Sequence, residues 1–250
     1  MKKVRIFLMI TFTVTWICWW ILSFVKQDDT QIFSNPVYFL LFFTGGIAPT
    51  IASYLTIKYS DKKFKPFNKS VLKIKVNLLF YLFIIFLVIG IQYLSKWIYG
   101  LTSKPIWSEM SLKFMALIPL TLLMIPLGGL EELGWRGLLL PELSKKLNFK
   151  ISALIVGIIW TIWHLPLFFI QGLSHYQSNL LEFTIQTVGL GFVLAWLYGR
   201  TKSIFICVLF HAFYNASSSI GLSCPENSRY LTALIWLITG TLLIMSDNKS

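Results

Sequence analysis

Three short polar clusters interrupt an otherwise apolar chain, and each holds residue types able to move protons. The first is Glu131-Glu132-Leu133-Gly134-Trp135-Arg136, two adjacent carboxylates and an arginine in an apolar stretch. On a helix Glu132 and Arg136 are i, i+4, the spacing of an ion pair. Glu131 then projects about 100° away, on another face. One carboxylate is structural in that geometry, and the other stays available for chemistry. The second cluster centres on His164, in Trp160-Thr161-Ile162-Trp163-His164-Leu165-Pro166, where Pro166 predicts a kink. The third pairs His211 with Asn215, again i, i+4 and on one face. Taken singly, each has a plain structural reading: a helix-end charge cluster for the first, interhelical hydrogen bonding for the other two. Taken together, a carboxylate, two histidines and an asparagine suit hydrolysis, with a base for water and donors for a developing oxyanion. Cys207, four residues before His211, makes a rival nucleophile–base pair, but it leaves Glu131 and His164 unexplained. Ser217 to Ser219 fall near the outer end of their span, away from the expected site, and Ser203 at its inner end has no base at readable spacing. His175 and Glu182 receive no role at this point.

The elements that must position these residues are membrane spans. The 250 residues are 56% hydrophobic and 13% charged, far less charged than a soluble domain. This excludes an ordinary soluble fold and a disordered chain. Three cysteines make no disulfide framework. The net charge of +12 would suggest nucleic acid in a soluble protein, but the aromatic residues lie inside apolar runs and form no stacking platform. No nucleic-acid partner is expected. Apolar stretches of the length a span requires, about 20 residues, fall at about 6–25, 37–57, 76–95, 112–130, 151–171, 182–199, 203–221 and 230–245. The first lacks a small-residue cleavage site and reads as a retained anchor. No internal repeat or linker divides the chain. The expectation is an all-α fold, a polytopic integral-membrane helical bundle of about eight spans forming one domain, 1–250.

Charge sets the orientation. With the N-terminus in the cytoplasm, only Lys26, Lys96, Lys104, Lys113 and Arg229 of the 22 Lys and Arg residues fall outside. The positive-inside rule therefore places both termini in the cytoplasm. The lysine-rich loop 58–75 is expected to lie on anionic lipids of the inner leaflet. Depth poses a problem, because His164, His211 and Glu131 sit at unequal distances from the inner ends of their spans. They can meet if 112–147 forms two helical pieces, broken near Pro119, Pro126 or Gly128-Gly129. A water-filled cavity opening towards the cytoplasm is expected to solvate them.

These motifs resemble the family of CAAX prenyl protease type 2 and bacteriocin-processing (CPBP, or Abi) intramembrane endopeptidases. EExxxR is Glu131 to Arg136, the aromatic-xxxH motif is Trp160 to His164, and HxxxN is His211 to Asn215. The family more often has Phe at the position of Trp160, and commonly Gly at that of Lys202. The resemblance covers roughly 115–220, the expected catalytic core. Residues 1–110 carry spans but no readable motif. It implies an intramembrane peptidase, a hydrolase in which Glu131 is the general base for water, His164 helps hold that water, and His211 and Asn215 form an oxyanion hole. Glu132 and Arg136 would orient the segment. Metal-free chemistry is favoured. Zinc is the variant, with Glu131, His164 and His211 as ligands, although no HExxH is present. The substrate would be a membrane-associated peptide or protein, and the setting a bacterial plasma membrane. The alternative is a non-catalytic immunity or scaffolding protein of the same fold. A proton-relay transporter finds no support in an inverted repeat.

Overall fold

Inside a bilayer a backbone must satisfy its own hydrogen bonds, which a helix does within one segment. The computed structural model describes residues 1–26, 31–60, 62–101, 113–220 and 229–246, and these form helices with no strand among them. Helix α1 (Lys2–Val25) buries Val4, Phe7, Thr11, Thr15, Trp19 and Leu22, a stripe at helical spacing. It packs on α2 (Pro36–Ser60), which presents the small residues Gly45, Ala48, Ala52 and Ser53. Small side chains let the helix backbones approach closely. Two hydrogen bonds lock the pair: Thr15 Oγ1 donates to the Gly45 carbonyl at 2.7 Å and Trp19 Nε1 to that of Phe42 at 3.0 Å.

A short helix, α3 (Phe64–Val71), and its flanks strap one end of the bundle. Phe67 is buried edge-on against Tyr54. Ser70 Oγ donates to the Lys202 carbonyl at 2.8 Å, and Lys73 Nζ to that of Thr201 at 2.7 Å. Part of the lysine-rich loop is therefore structural: Lys73 places a positive charge at the carboxyl end of a long helix, where the macrodipole favours it.

Then come α4 (Leu78–Gly100), α5 (Leu117–Leu127), α6 (Gly129–Leu143) and α7 (Phe149–Trp163). A 3₁₀ turn, Leu165–Phe169, follows α7. The chain ends with α8 (Leu180–Thr201), α9 (Ile204–Ser219) and α10 (Arg229–Met245). Helices α8 and α10 cross at glycines: a Cβ on Gly189 would lie 2.5 Å from the backbone of Trp236, and Gly240 faces the Gly189 carbonyl. The outward surface is apolar, with Phe86, Ile118 and Leu242 exposed as lipid contact requires.

Each of the eight apolar stretches of the sequence holds a helix among the described residues. Among the described residues, five helical segments are long and apolar enough to cross a membrane: α1, α2, α4, the stretch Phe149–Phe169 and α8. Helices α5 and α6 together pass the same test as a pair bent by 43°. Helices α9 and α10 have 16 and 17 residues, roughly 24–26 Å at the α-helical rise and short of a ~30 Å core. The chain is a multi-pass helical membrane protein.

Candidate active site

The bend between α5 and α6 brings the carboxylates to their neighbours. Pro126 ends α5, Gly128 forms the corner, and α6 opens with a 3₁₀ turn over Gly129–Glu131. The two pieces expected within 112–147 are thus present, broken at Gly128. These glycines also permit contact. A Cβ on Gly129 would sit 2.8 Å from the Val208 carbonyl of α9, and one on Gly128 2.6 Å from Asn215 Nδ2. Thr50 of α2 fastens the turn from behind, its Oγ1 donating to the Leu130 carbonyl at 2.5 Å. Further along, α6 becomes π-helical over Trp135–Leu139, the Leu140 N–H reaching the Trp135 carbonyl. Single π turns inside helices are frequent at functional sites.

Glu132 turns away from solvent. Its Oε1 accepts from Arg136 Nη1 at 3.0 Å and from His211 Nδ1 at 3.0 Å. Glu132 and Arg136 are both 0% exposed. The i, i+4 ion pair expected from the sequence is present, and His211 joins it from α9.

Glu131 points the other way, and its Oε2 accepts from the Trp160 indole Nε1 at 3.0 Å. Trp160 is the hub of the cluster. The Arg136 guanidinium lies 4.9 Å over its ring, a cation–π contact, and its ring meets His211 edge-on at 5.2 Å. Its backbone carbonyl accepts from His164 Nδ1 at 2.7 Å. A carbonyl can only accept, so His164 carries its proton on Nδ1 and a neutral ring keeps the Nε2 lone pair.

One cavity of about 590 Å³ is lined by Glu131, His164, His211 and Asn215. Glu132 and Arg136 are withdrawn from it. The space that a side chain at Gly128 would fill is bordered by Asn215 Nδ2 and, at 3.6 Å, by His211 Nε2. Two nitrogens therefore converge on one small volume beside Glu131.

Several residues of this cavity went unassigned in the sequence. His175 stacks on His164, ring centres 6.0 Å apart and planes at 15°. It lies in the loop between α7 and α8, and burial first, then the positive charge of Arg229, pushes its imidazole down to about 4. Glu182 and Arg229 line the same cavity, and Gln186 donates to the Tyr214 hydroxyl beside it. Only the indole at 160 carried a signal, as the aromatic of a motif. The others depend on loop and helix-end placement that no spacing encodes. Cys207 is fully buried, its thiol directed at the carbonyls of Leu194 and Ser203, and it does not line the cavity. Ser203 caps α9, accepting from the Ile206 N–H. Ser218 and Ser219 line the outer part of the cavity. Among the described residues, no three His, Cys, Asp or Glu side chains gather closely enough to hold a metal ion.

The direction of the cavity differs from expectation. It runs from Glu131 towards Phe33, Ser174, Ser178 and Arg229, at the end of the bundle opposite the lysine-rich strap. Towards the strap, the fully buried Glu132, Arg136, Leu139, Ile204 and Cys207 close it. The sequence predicts a cavity mouth on the same side as the lysine-rich loop, with Glu131 at the inner end of its span. The packing of α6 against α9 fills the space on the strap side.

Residues 111–217 match the model of the type II CAAX prenyl endopeptidase family, Rce1-like. The matched segment runs from the start of α5 through most of α9 and holds all three polar clusters. That segment is similar to the Rce1-like endopeptidases. The chain is also 23% identical over 261 aligned residues to CAAX prenyl protease 2 of Methanococcus maripaludis, covering 98% of this chain and 94% of that protein. A Bacillus subtilis protein provisionally named as a membrane peptidase, YdiL, is 27% identical over 124 residues, 49% of this chain and 45% of its own length. Together with the helical architecture, these likenesses make the chain a membrane endopeptidase, a hydrolase.

Proposed function

We propose that the protein hydrolyses a peptide bond in a membrane-associated peptide or protein with water activated by Glu131. The observation that carries this reading is the separation of the two carboxylates: Glu132 is buried in an ion pair, while Glu131 faces a cavity shared with His164, His211 and Asn215. Water held between Glu131 and the His164 Nε2 lone pair loses a proton to Glu131, and its oxygen attacks the scissile carbonyl. The oxyanion receives hydrogen bonds from Asn215 Nδ2 and from His211 Nε2. Because His211 Nδ1 already donates to Glu132, donation from Nε2 calls for an imidazolium. Glu131, Glu132, Arg136 and His211 then carry two negative and two positive charges. Glu131 returns its proton to the leaving amine as the C–N bond breaks.

The reading is metal-free. It places the whole chain, 1–250, in one integral-membrane domain with 115–220 as the catalytic core. It sets both termini in the cytoplasm of a bacterial cell, the protein in the plasma membrane, and the exposed lysines of 58–75 on anionic lipid. The test compares purified wild type with Glu131→Gln on a diverse peptide library. Wild type is expected to cleave, and Glu131→Gln to lose activity by about 10²–10⁴-fold, the usual worth of a general base. Equal turnover by the two would remove Glu131 from the mechanism. Stoichiometric zinc in active protein would replace the metal-free scheme. Cleavage by neither protein, with and without added lipid, would favour the non-catalytic immunity or scaffolding reading.

A further inference from the structure

The two ends of the bundle differ in charge and in access. One end is basic and closed. There Lys3 and Lys145 both reach Glu142, at 3.3 and 2.5 Å, which gathers the start of α1 with the end of α6. Lys73 and Ser70 bind the carbonyls of Thr201 and Lys202, which adds α3 and the end of α8. Between this end and Glu131 lie the fully buried side chains of Glu132, Arg136, Leu139, Ile204 and Cys207. The other end is defined by Lys26 Nζ, which donates to the Gln171 carbonyl at 2.7 Å and ties the end of α1 to the loop before α8. The cavity widens towards this second end, where Ser174 and Ser219 on its lining are exposed. Counted from the sequence, 17 of the 22 Lys and Arg residues fall on the basic side, the bias that retains a loop in the cytoplasm.

We propose that the catalytic cavity is entered from the extracytoplasmic face, and that its substrates are membrane-proximal polypeptide segments on that side. This rests on the proteolytic reading of the site and adds the side of the membrane it serves. Water, which the reaction consumes, reaches Glu131 along the polar wall of His175, Glu182, Gln186 and Arg229, all on the open side of His164. Trp19, Phe42 and Phe183 add apolar surface to the same lining, so the channel suits an amphipathic peptide leaving the lipid surface rather than a free polar solute. A tail displayed only in the cytoplasm would meet the closed end.

Two readouts test this. Single cysteines are placed at exposed sites outside the cavity lining, Ser34→Cys on the open end and Lys146→Cys on the closed end. Cys18 and Cys224 are replaced by serine and the buried Cys207 is kept. In intact cells treated with a membrane-impermeant maleimide, Ser34→Cys is expected to react and Lys146→Cys to react only after permeabilisation. The reverse pattern overturns the proposal. Independently, a membrane-impermeant quenched peptide that the detergent-solubilised wild type cleaves is offered to right-side-out and inverted vesicles. Cleavage by right-side-out vesicles supports the proposal, and cleavage by inverted vesicles alone overturns it. If solubilised wild type cleaves no peptide, the proteolytic reading is what fails, and the labelling pattern still decides which side the cavity faces.

Discussion

Glu132 is fully buried, so the hydrogen-bonding partners Arg136 and His211 set the cost of its charge. Removing one partner of a buried ion pair leaves an uncompensated charge, worth about 3–5 kcal/mol. Arg136→Met is therefore expected to lower the melting temperature in detergent by about 10 °C. The double variant Glu132→Met, Arg136→Met should recover part of that loss, because neither charge is then orphaned. Trp160 poses a different question, since it touches Glu131, Arg136, His164 and His211 at once. Trp160→Phe keeps an aromatic ring and the carbonyl that holds His164, deletes the donor to Glu131 and shrinks the ring that Arg136 and His211 meet. A hydrogen bond to a charged group is worth about 1.5–3 kcal/mol, so kcat is expected to fall about 10–100-fold. KM should hold, because Trp160 acts through Glu131. A fall in melting temperature that accounts for the whole loss of activity would instead mark the residue as packing alone.

At the scale of elements, the break at Gly128 and the junction of α8 with α9 govern the site. Lys202 ends α8 at φ 50°, ψ 33°, the left-handed conformation that costs a side-chain-bearing residue about 1–2 kcal/mol. Glycine pays no such penalty, which gives the physical reason for glycine at this position in proteins that the chain resembles. Its backbone contact to Ser70 would survive substitution, whereas the Lys202 contact with the Tyr198 ring at 5.6 Å would not. Lys202→Gly is expected to raise stability by about 0.5–1 kcal/mol, read as a higher melting temperature with activity unchanged. Gly128 and Gly129 have the opposite character, because a Cβ at either position would meet α9 directly. The bend supplies direction, and the missing side chains supply proximity.

The whole molecule adds a dependence on pH through the loop that closes over His164. His175 is held neutral there, its pKa pushed down to about 4 by burial and by Arg229, against about 6.5 in an unfolded chain. Between pH 6.5 and 4 the unfolded chain binds a proton that the folded one refuses, so stability falls as pH falls across that window. Melting temperatures measured from pH 7 to pH 4 should drop more steeply for wild type than for His175→Phe, which keeps the ring stack and removes the titration. Parallel slopes would show that His175 contributes nothing to acid sensitivity.

The linear chain determined much by itself. Eight apolar stretches each mark a helix, because lipid admits few other backbone solutions, whereas α3 and most of α6 lie outside them. The i, i+4 spacing of Glu132 and Arg136 was enough to predict their pairing, and the same spacing put His211 and Asn215 on one face, since both relations are local to a helix. Proline and glycine near 126–129 marked the break for equally local reasons. Tertiary structure decided the rest. That Glu132 also takes His211, that Trp160 gathers four neighbours, and that His175 covers His164 all depend on contacts between segments distant in sequence, which no periodicity records. The opening of the cavity is of the same kind. Hydropathy gives the depth of a residue along its own helix, but which end of a bundle is sealed depends on how side chains from α6, α8 and α9 fill the space between them.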